Sequence, residues 1–79
     1  MLTKQQKEIL DLTAIVFDIR SNQLNLESSP DTVDCWDSIK HMMLILALEE
    51  KYNIEFDSEE IVDLYTLGLI IDRIVEKLS

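Results

Sequence analysis

The chain has 79 residues, with sixteen Asp and Glu against seven Lys and Arg, a net charge of -9, and only one Cys, one His, one Gly and one Pro. At 47% hydrophobic it can build one small core and is too apolar for a disordered acidic tail. Lone Cys35 and His41 exclude a disulfide framework and the usual zinc sites, lone Gly68 excludes glycine-rich phosphate loops, and the acidity argues strongly against nucleic acid as a partner.

The opening segment, Met1 to Leu10, is polar and helical in character, unlike the basic-then-apolar run of a secretory leader. The longest apolar run, Met42 to Leu48, has seven residues, far short of the ~18 that a membrane-spanning helix needs. The expectation is a single soluble domain over residues 1–79, cytoplasmic, monomeric and without a membrane span.

With so little Gly and Pro, helices are the default reading. Thr3 and Gln6 stand three apart in a capping-box pattern. Ile9, Leu12, Val16 and Ile19 follow at helical spacing and predict a first helix from about Lys4 to Arg20. From Ser21 to Asp37 the pattern breaks around Ser28-Ser29-Pro30-Asp31, a turn sequence whose proline cannot sit inside a helix. The segment keeps Leu24, Leu26, Val33 and Trp36, which predicts a long loop laid along the bundle. A second helix opens at Asp37-Ser38, both good capping residues, and runs to about Tyr52. A short third fits Ser58–Leu64 with Ser58 as its cap. A fourth fits Leu67–Leu78, with Thr66 as cap and Leu67, Ile70, Ile71, Ile74, Val75 and Leu78 as its stripe. The fold class is all-α: a small antiparallel four-helix bundle, three helices longer and one short, with a long loop between the first two.

The second helix has more than one apolar face. Ile39, Met42, Met43 and Leu46 form a tight stripe, while Leu44, Ile45, Leu48 and Tyr52 lie on other sides. A bundle this small cannot bury a helix all round, so the stripe is expected to be an exposed docking face; full burial of a central helix is the alternative. Adjacent methionines suit a surface that repacks against several partners. Charge is concentrated in the same region. Between Glu27 and Asp63 there are eleven acids and two bases, whereas the rest of the chain has five of each. An acidic rim including Glu49, Glu50, Glu59 and Glu60 suits electrostatic steering of basic partners; a solubility surface is the plainer reading.

Ser38 falls where helix N–H groups lack intrahelical partners and the dipole is positive, a place for an anion or simply for a cap. Ser38, His41 and Asp37 also invite a hydrolase triad. The start of one small helix offers no oxyanion hole, no second wall and no buried orienting acid, so no catalytic residue is assigned. On this reading His41 is a surface residue. The acidic clusters lack the glycine and spacing of a calcium loop, so no metal site is assigned either. Cys35 has no cation near it in sequence to make it a reactive thiolate, and fits a half-buried loop cysteine.

Asp37-Ser38-Ile39, then Met42 and Leu44-Ile45-Leu46-Ala47-Leu48-Glu49-Glu50-Lys51-Tyr52, resembles the Asp-Ser-Leu motif and second helix of acyl carrier proteins. Ile54-Glu55-Phe56 resembles the extended segment that follows, Ser58-Glu59-Glu60 the acidic start of the third helix, and Thr66-Leu67 with Ile70-Ile71 the cap and core of the fourth. The resemblance covers essentially the whole chain. It implies a carrier with no catalytic activity of its own. Ser38, beside Asp37, would be esterified with 4'-phosphopantetheine taken from coenzyme A by a separate phosphopantetheinyl transferase. The arm would present an acyl or aminoacyl thioester to acyl-loading, acyl-transferring or condensing enzymes, read through Ile39, Met42, Met43, Leu46, Glu49, Glu50, Glu59 and Glu60.

Some positions depart from the family pattern. Members serving general fatty acid synthesis usually have acids where Lys40 and Met43 stand, a small residue at Trp36, and a Gly before the motif. These departures favour a dedicated pathway: polyketide, lipid-modifying, aminoacyl or surface-glycan synthesis. A peptidyl carrier of non-ribosomal synthesis ranks behind it, because the Gly-Gly usual before that motif is absent. The rival from another class is a non-catalytic acidic helical interaction module in which Ser38 is only a cap.

Overall fold

The computed structural model describes residues 2–78. Among them are four α-helices, α1 (Lys4–Phe17), α2 (Ser38–Tyr52), α3 (Ser58–Asp63) and α4 (Leu67–Leu78), one 3-10 turn at Ser21–Gln23, and no strand. The architecture is the small helical bundle expected from periodicity, with a long connection between α1 and α2.

α1 opens on a reciprocal cap. The Thr3 hydroxyl accepts from the Gln6 N–H at 3.1 Å, and Gln6 Oε1 accepts from the Thr3 N–H at 2.8 Å. The helix closes at Phe17, three residues before the expected Arg20, because Asp18 turns left-handed at φ 58°. The Asp18 N–H then reaches the Ile15 carbonyl, and the Ile19 N–H the Ala14 carbonyl at 3.0 Å, a Schellman closure. Ile19 continues the apolar pattern only because it folds back on the core from beyond the turn. α2 ends the same way: Asn53 is left-handed at φ 54°, and the Ile54 N–H reaches the Glu49 carbonyl at 3.1 Å. Asp and Asn tolerate this conformation better than other residues bearing a Cβ, so neither stop needs a glycine.

The core is built from one face each of α1, α2 and α4. Ile9, Leu10, Ala14 and Phe17 meet Leu44, Ile45 and Leu48, and Leu67, Ile70, Ile71 and Ile74 close the third side. Thr13 is buried among them, and its hydroxyl donates back to the Ile9 carbonyl at 2.7 Å, so among the described residues no buried side-chain nitrogen or oxygen is left without a partner. At the far end the half-buried Tyr52 hydroxyl donates to Glu8 at 3.4 Å; burial first, and Glu8 second, raise its pKa.

The long connection lies against this core, with Leu24 and Trp36 buried. It is pinned to the start of α4, where the Gly68 N–H donates to the Leu26 carbonyl at 2.8 Å and the Leu67 N–H to that of Ser28 at 3.1 Å. Two of the orphan donors of α4 are satisfied in this way. A Cβ at Gly68 would lie 3.0 Å from the Leu26 carbonyl oxygen, a tight contact that the loop would have to relieve by shifting. Thr66 caps α4 as expected, its hydroxyl accepting from the Leu69 N–H at 3.1 Å.

α3 is different in kind, because none of its six residues is buried. Its cap is Asp57 and not Ser58, which is the first helical residue, and it ends at Asp63. Glu60 holds it in place. One Glu60 oxygen accepts from the Asp57 N–H at 2.8 Å, and the carboxylate also binds Arg73 at 2.5 Å and Lys77 at 3.1 Å on α4. The Asp57 N–H bond first, and the two cations after it, hold the Glu60 carboxyl down to about 2.

Candidate functional site

The first turn of α2 separates two tasks. Asp37 is the cap: its carboxylate accepts from the Lys40 N–H at 2.8 Å, and its carbonyl accepts from the His41 N–H at 2.8 Å. Ser38 is the first helical residue, is exposed, and takes no part in the cap. The N–H groups of Ser38 and Ile39 are the two at this helix start that helical geometry leaves without an intrahelical acceptor.

Beside Ser38 runs an open groove of about 470 Å³ between α2 and α3, lined by Pro30, Trp36, Asp37, Ser38, His41, Met42, Ile61, Val62 and Tyr65. Its floor contains a bridge. The buried Trp36 indole N–H donates to His41 Nδ1 at 3.0 Å, and His41 Nε2 lies 3.0 Å from the Ile61 carbonyl oxygen. Since Nδ1 accepts, the ring proton is on Nε2 and is donated to Ile61. His41 is therefore half-buried and ties the long loop, α2 and α3 together; it is not the surface residue expected from sequence. Both of its nitrogens are engaged, which leaves Ser38 without the base that a hydrolase triad requires.

Along α2, Ile39 is 72% exposed and Leu46 58%, and Met42 and Met43 are also exposed, while Leu44, Ile45 and Leu48 are fully buried. The two apolar faces thus have different fates, and exposed Val62 and Tyr65 extend the outer one across the groove. The acids divide too. Glu50 and Glu59 are exposed. Glu49 is half-buried and accepts from the Phe56 N–H at 2.8 Å, which fixes the segment between α2 and α3. Glu60 is the clamp on α4 described above. The structure therefore brings Asp37, Ser38, Ile39 and Met42 together at the head of α2, continues the stripe through Met43 and Leu46, and gives Glu49 and Glu60 intramolecular bonds.

The chain is similar to a solved structure, the holo acyl carrier protein from Geobacter metallireducens. The two share 34% sequence identity at a TM-score of 0.85, over 96% of this chain and 87% of the other. The chain belongs to the acyl carrier protein family. No family model matches it, and no curated protein matches it either. Acyl carrier proteins are non-catalytic carriers, in keeping with a serine that has no base beside it. No helix among the described residues is long and apolar enough to cross a membrane, and no cluster of residues there could hold a metal ion.

Within this acyl carrier protein, sequence reasoning missed the Trp36–His41–Ile61 bridge. The only signal available was that the lone Trp and the lone His stand five residues apart across a helix start. The acceptor in α3 comes from twenty residues further on and leaves no mark in local pattern.

Proposed function

We propose that this chain is a carrier loaded at Ser38 with 4'-phosphopantetheine, serving a dedicated biosynthetic pathway. The observation that carries the reading is the division of labour at the head of α2. Asp37 caps the helix, and that leaves the Ser38 hydroxyl exposed, held in direction by the first helical turn and free to be a nucleophile. An acidic interaction module in which Ser38 is only a cap does not account for this arrangement.

The residues suit the group. In loading, a phosphodiester forms between Ser38 Oγ and the pantetheine-side phosphorus of coenzyme A. The anhydride bond breaks, adenosine bisphosphate leaves with the electron pair, and the hydroxyl proton passes to a base on the transferase. The unpaired N–H groups and positive dipole end of α2 favour the phosphodiester, while the Asp37 carboxylate opposes it. Once bound, the arm supplies a terminal thiol that holds an acyl or aminoacyl group as a thioester. Ser38 contributes a fixed exit direction. Ile39, Met42, Met43 and Leu46 contribute a small apolar patch for partner enzymes, and Glu50 and Glu59 contribute charge for steering. Glu49 and Glu60 support the same surface by holding α3 and the segment before it in place. Lys40 and Met43 put a base and an apolar side chain on the face that partners read, whereas Trp36 is buried beneath it and is not part of that face. Lys40 and Met43 favour a dedicated pathway over general fatty acid synthesis; the carrier is read as a cytoplasmic monomer that meets its loading and transfer enzymes one at a time.

The test is intact mass after incubation with coenzyme A, magnesium and a broad-specificity phosphopantetheinyl transferase. The chain is expected to gain one phosphopantetheine unit and Ser38→Ala none. No gain, with the transferase active on a control carrier, would contradict the reading.

A further inference from the structure

A cargo tethered at Ser38 has two apolar places to go: the groove along α2 and α3, or the core beneath the seam between those helices. The seam is where the Trp36–His41–Ile61 bridge lies. We infer that Trp36, His41 and Ile61 seal it, so that an acyl group on Ser38 lies in the outer groove against Trp36, Met42, Val62 and Tyr65 and does not enter the bundle core.

The inference rests on the carrier reading, and its argument is local. Ser38 lines the groove itself, so anything attached there begins at its edge. The groove falls within the 300–1,000 Å³ range of ordinary ligand sites, and its lining is mostly apolar or aromatic. It therefore offers burial of apolar surface without any rearrangement. The core offers it only after one. Trp36 is 2% exposed and packs its ring on Phe17 with centroids 5.2 Å apart, so it faces the groove on one side and the core on the other. Its N–H is held by His41, whose ring lies 25° from the indole plane, and His41 in turn holds the Ile61 carbonyl. Parting α2 from α3 would break the His41–Ile61 bond and leave the half-buried His41 N–H, held in place by Trp36, without its acceptor, the costly side of hydrogen-bond energetics. Below the bridge, Leu44, Ile45 and Leu48 of α2, with Leu64 and Ile71, are 0 to 2% exposed, so a chain that passed the seal would also have to displace packed side chains. The carrier would thus keep its cargo at the surface, where a partner reaches the thioester without first drawing it out.

The experiment compares the full chain loaded from acetyl coenzyme A with the same chain loaded from octanoyl coenzyme A, by intact mass, methyl NMR and emission of the single tryptophan. In the octanoyl form, methyl shifts are expected at Met42, Ile61 and Val62 together with a change in Trp36 emission, while Leu44, Leu48 and Ile71 stay where the acetyl form has them. Trp36→Phe keeps a ring in place but removes the N–H that His41 accepts, and His41→Gln removes the imidazole. In either variant octanoyl is expected to begin moving Leu44 and Ile71. Core methyl shifts in the unaltered chain would overturn the inference while leaving the carrier reading intact. Variants that behave as the unaltered chain would remove the bridge as the seal. A chain whose mass does not rise fails the carrier reading, and the inference falls with it.

Discussion

α1, α2 and α4 are held by apolar area, and α3 is held by points. The three long helices supply eleven buried hydrophobic residues, several at 0% exposure, while α3 supplies none and is fastened by the Glu60 carboxylate on one side and by His41 through Ile61 on the other. Burial is non-directional and tolerates small shifts, whereas a hydrogen-bonded pin sets distance and angle at one place. The site sits where the two regimes meet. The head of α2 is anchored in the core through Leu44 and Ile45, while its outer face and the groove look across to the pinned helix. The groove thus has one wall held by burial and the other held by hydrogen-bonded pins.

The sharpest break in that comparison is a core truncation. Leu48→Ala or Ile45→Ala removes a fully buried side chain from α2 and is expected to cost about 2–5 kcal/mol, enough to unfold much of so small a domain in a urea titration. Gly68→Ala should cost less, about 1–2 kcal/mol, since its Cβ meets the Leu26 carbonyl and helix propensity returns only part of the loss. A melting temperature equal to that of the unaltered chain would mean that the loop yields freely.

The pins predict a different signature. Glu60 is held well below its ordinary 4.5, down to about 2, so its contribution to stability is present above pH 4.5 and is lost as pH falls toward 2. The difference in stability between the unaltered chain and Glu60→Gln should therefore shrink across that window. Amide exchange in α3 should be faster in Glu60→Gln at neutral pH, with α1 and α4 little changed. A difference that holds constant down to pH 2 would remove Glu60 as the clamp. Smallest in stability terms are the exposed acids. Glu50→Lys with Glu59→Lys should leave unfolding within about 0.5 kcal/mol of the unaltered chain while slowing association with the transferase at low salt. Association unchanged at every salt concentration would refute steering.

What could be read from the sequence follows the same division. Apolar spacing is a property of area, and it located α1, α2 and α4, while Thr3, Asp37 and Thr66 marked their starts because caps act within three residues. The two faces of α2 were separable because one stripe alone could not hold Ile39 and Leu44 together. The left-handed stops at Asp18 and Asn53 have no glycine to mark them, so apolar spacing alone carries the first helix three residues too far. The pins were illegible. Glu60 finds Arg73 and Lys77 thirteen and seventeen residues away, and His41 finds Ile61 twenty away, distances at which pairing is decided by the fold. In sequence Glu49 and Glu60 look like the other rim acids, and only their bonds to Phe56 and to α4 set them apart.

The central claim is that Asp37 serves the helix while Ser38 serves the cargo. Its most direct test measures two quantities, melting temperature and mass after loading, on Asp37→Ala and Ser38→Ala side by side. Asp37→Ala should lose about 1 kcal/mol of stability as the cap goes. Ser38→Ala should melt with the unaltered chain and gain no mass. A Ser38→Ala variant that melts lower by as much as Asp37→Ala, or that still takes up phosphopantetheine, would contradict the account.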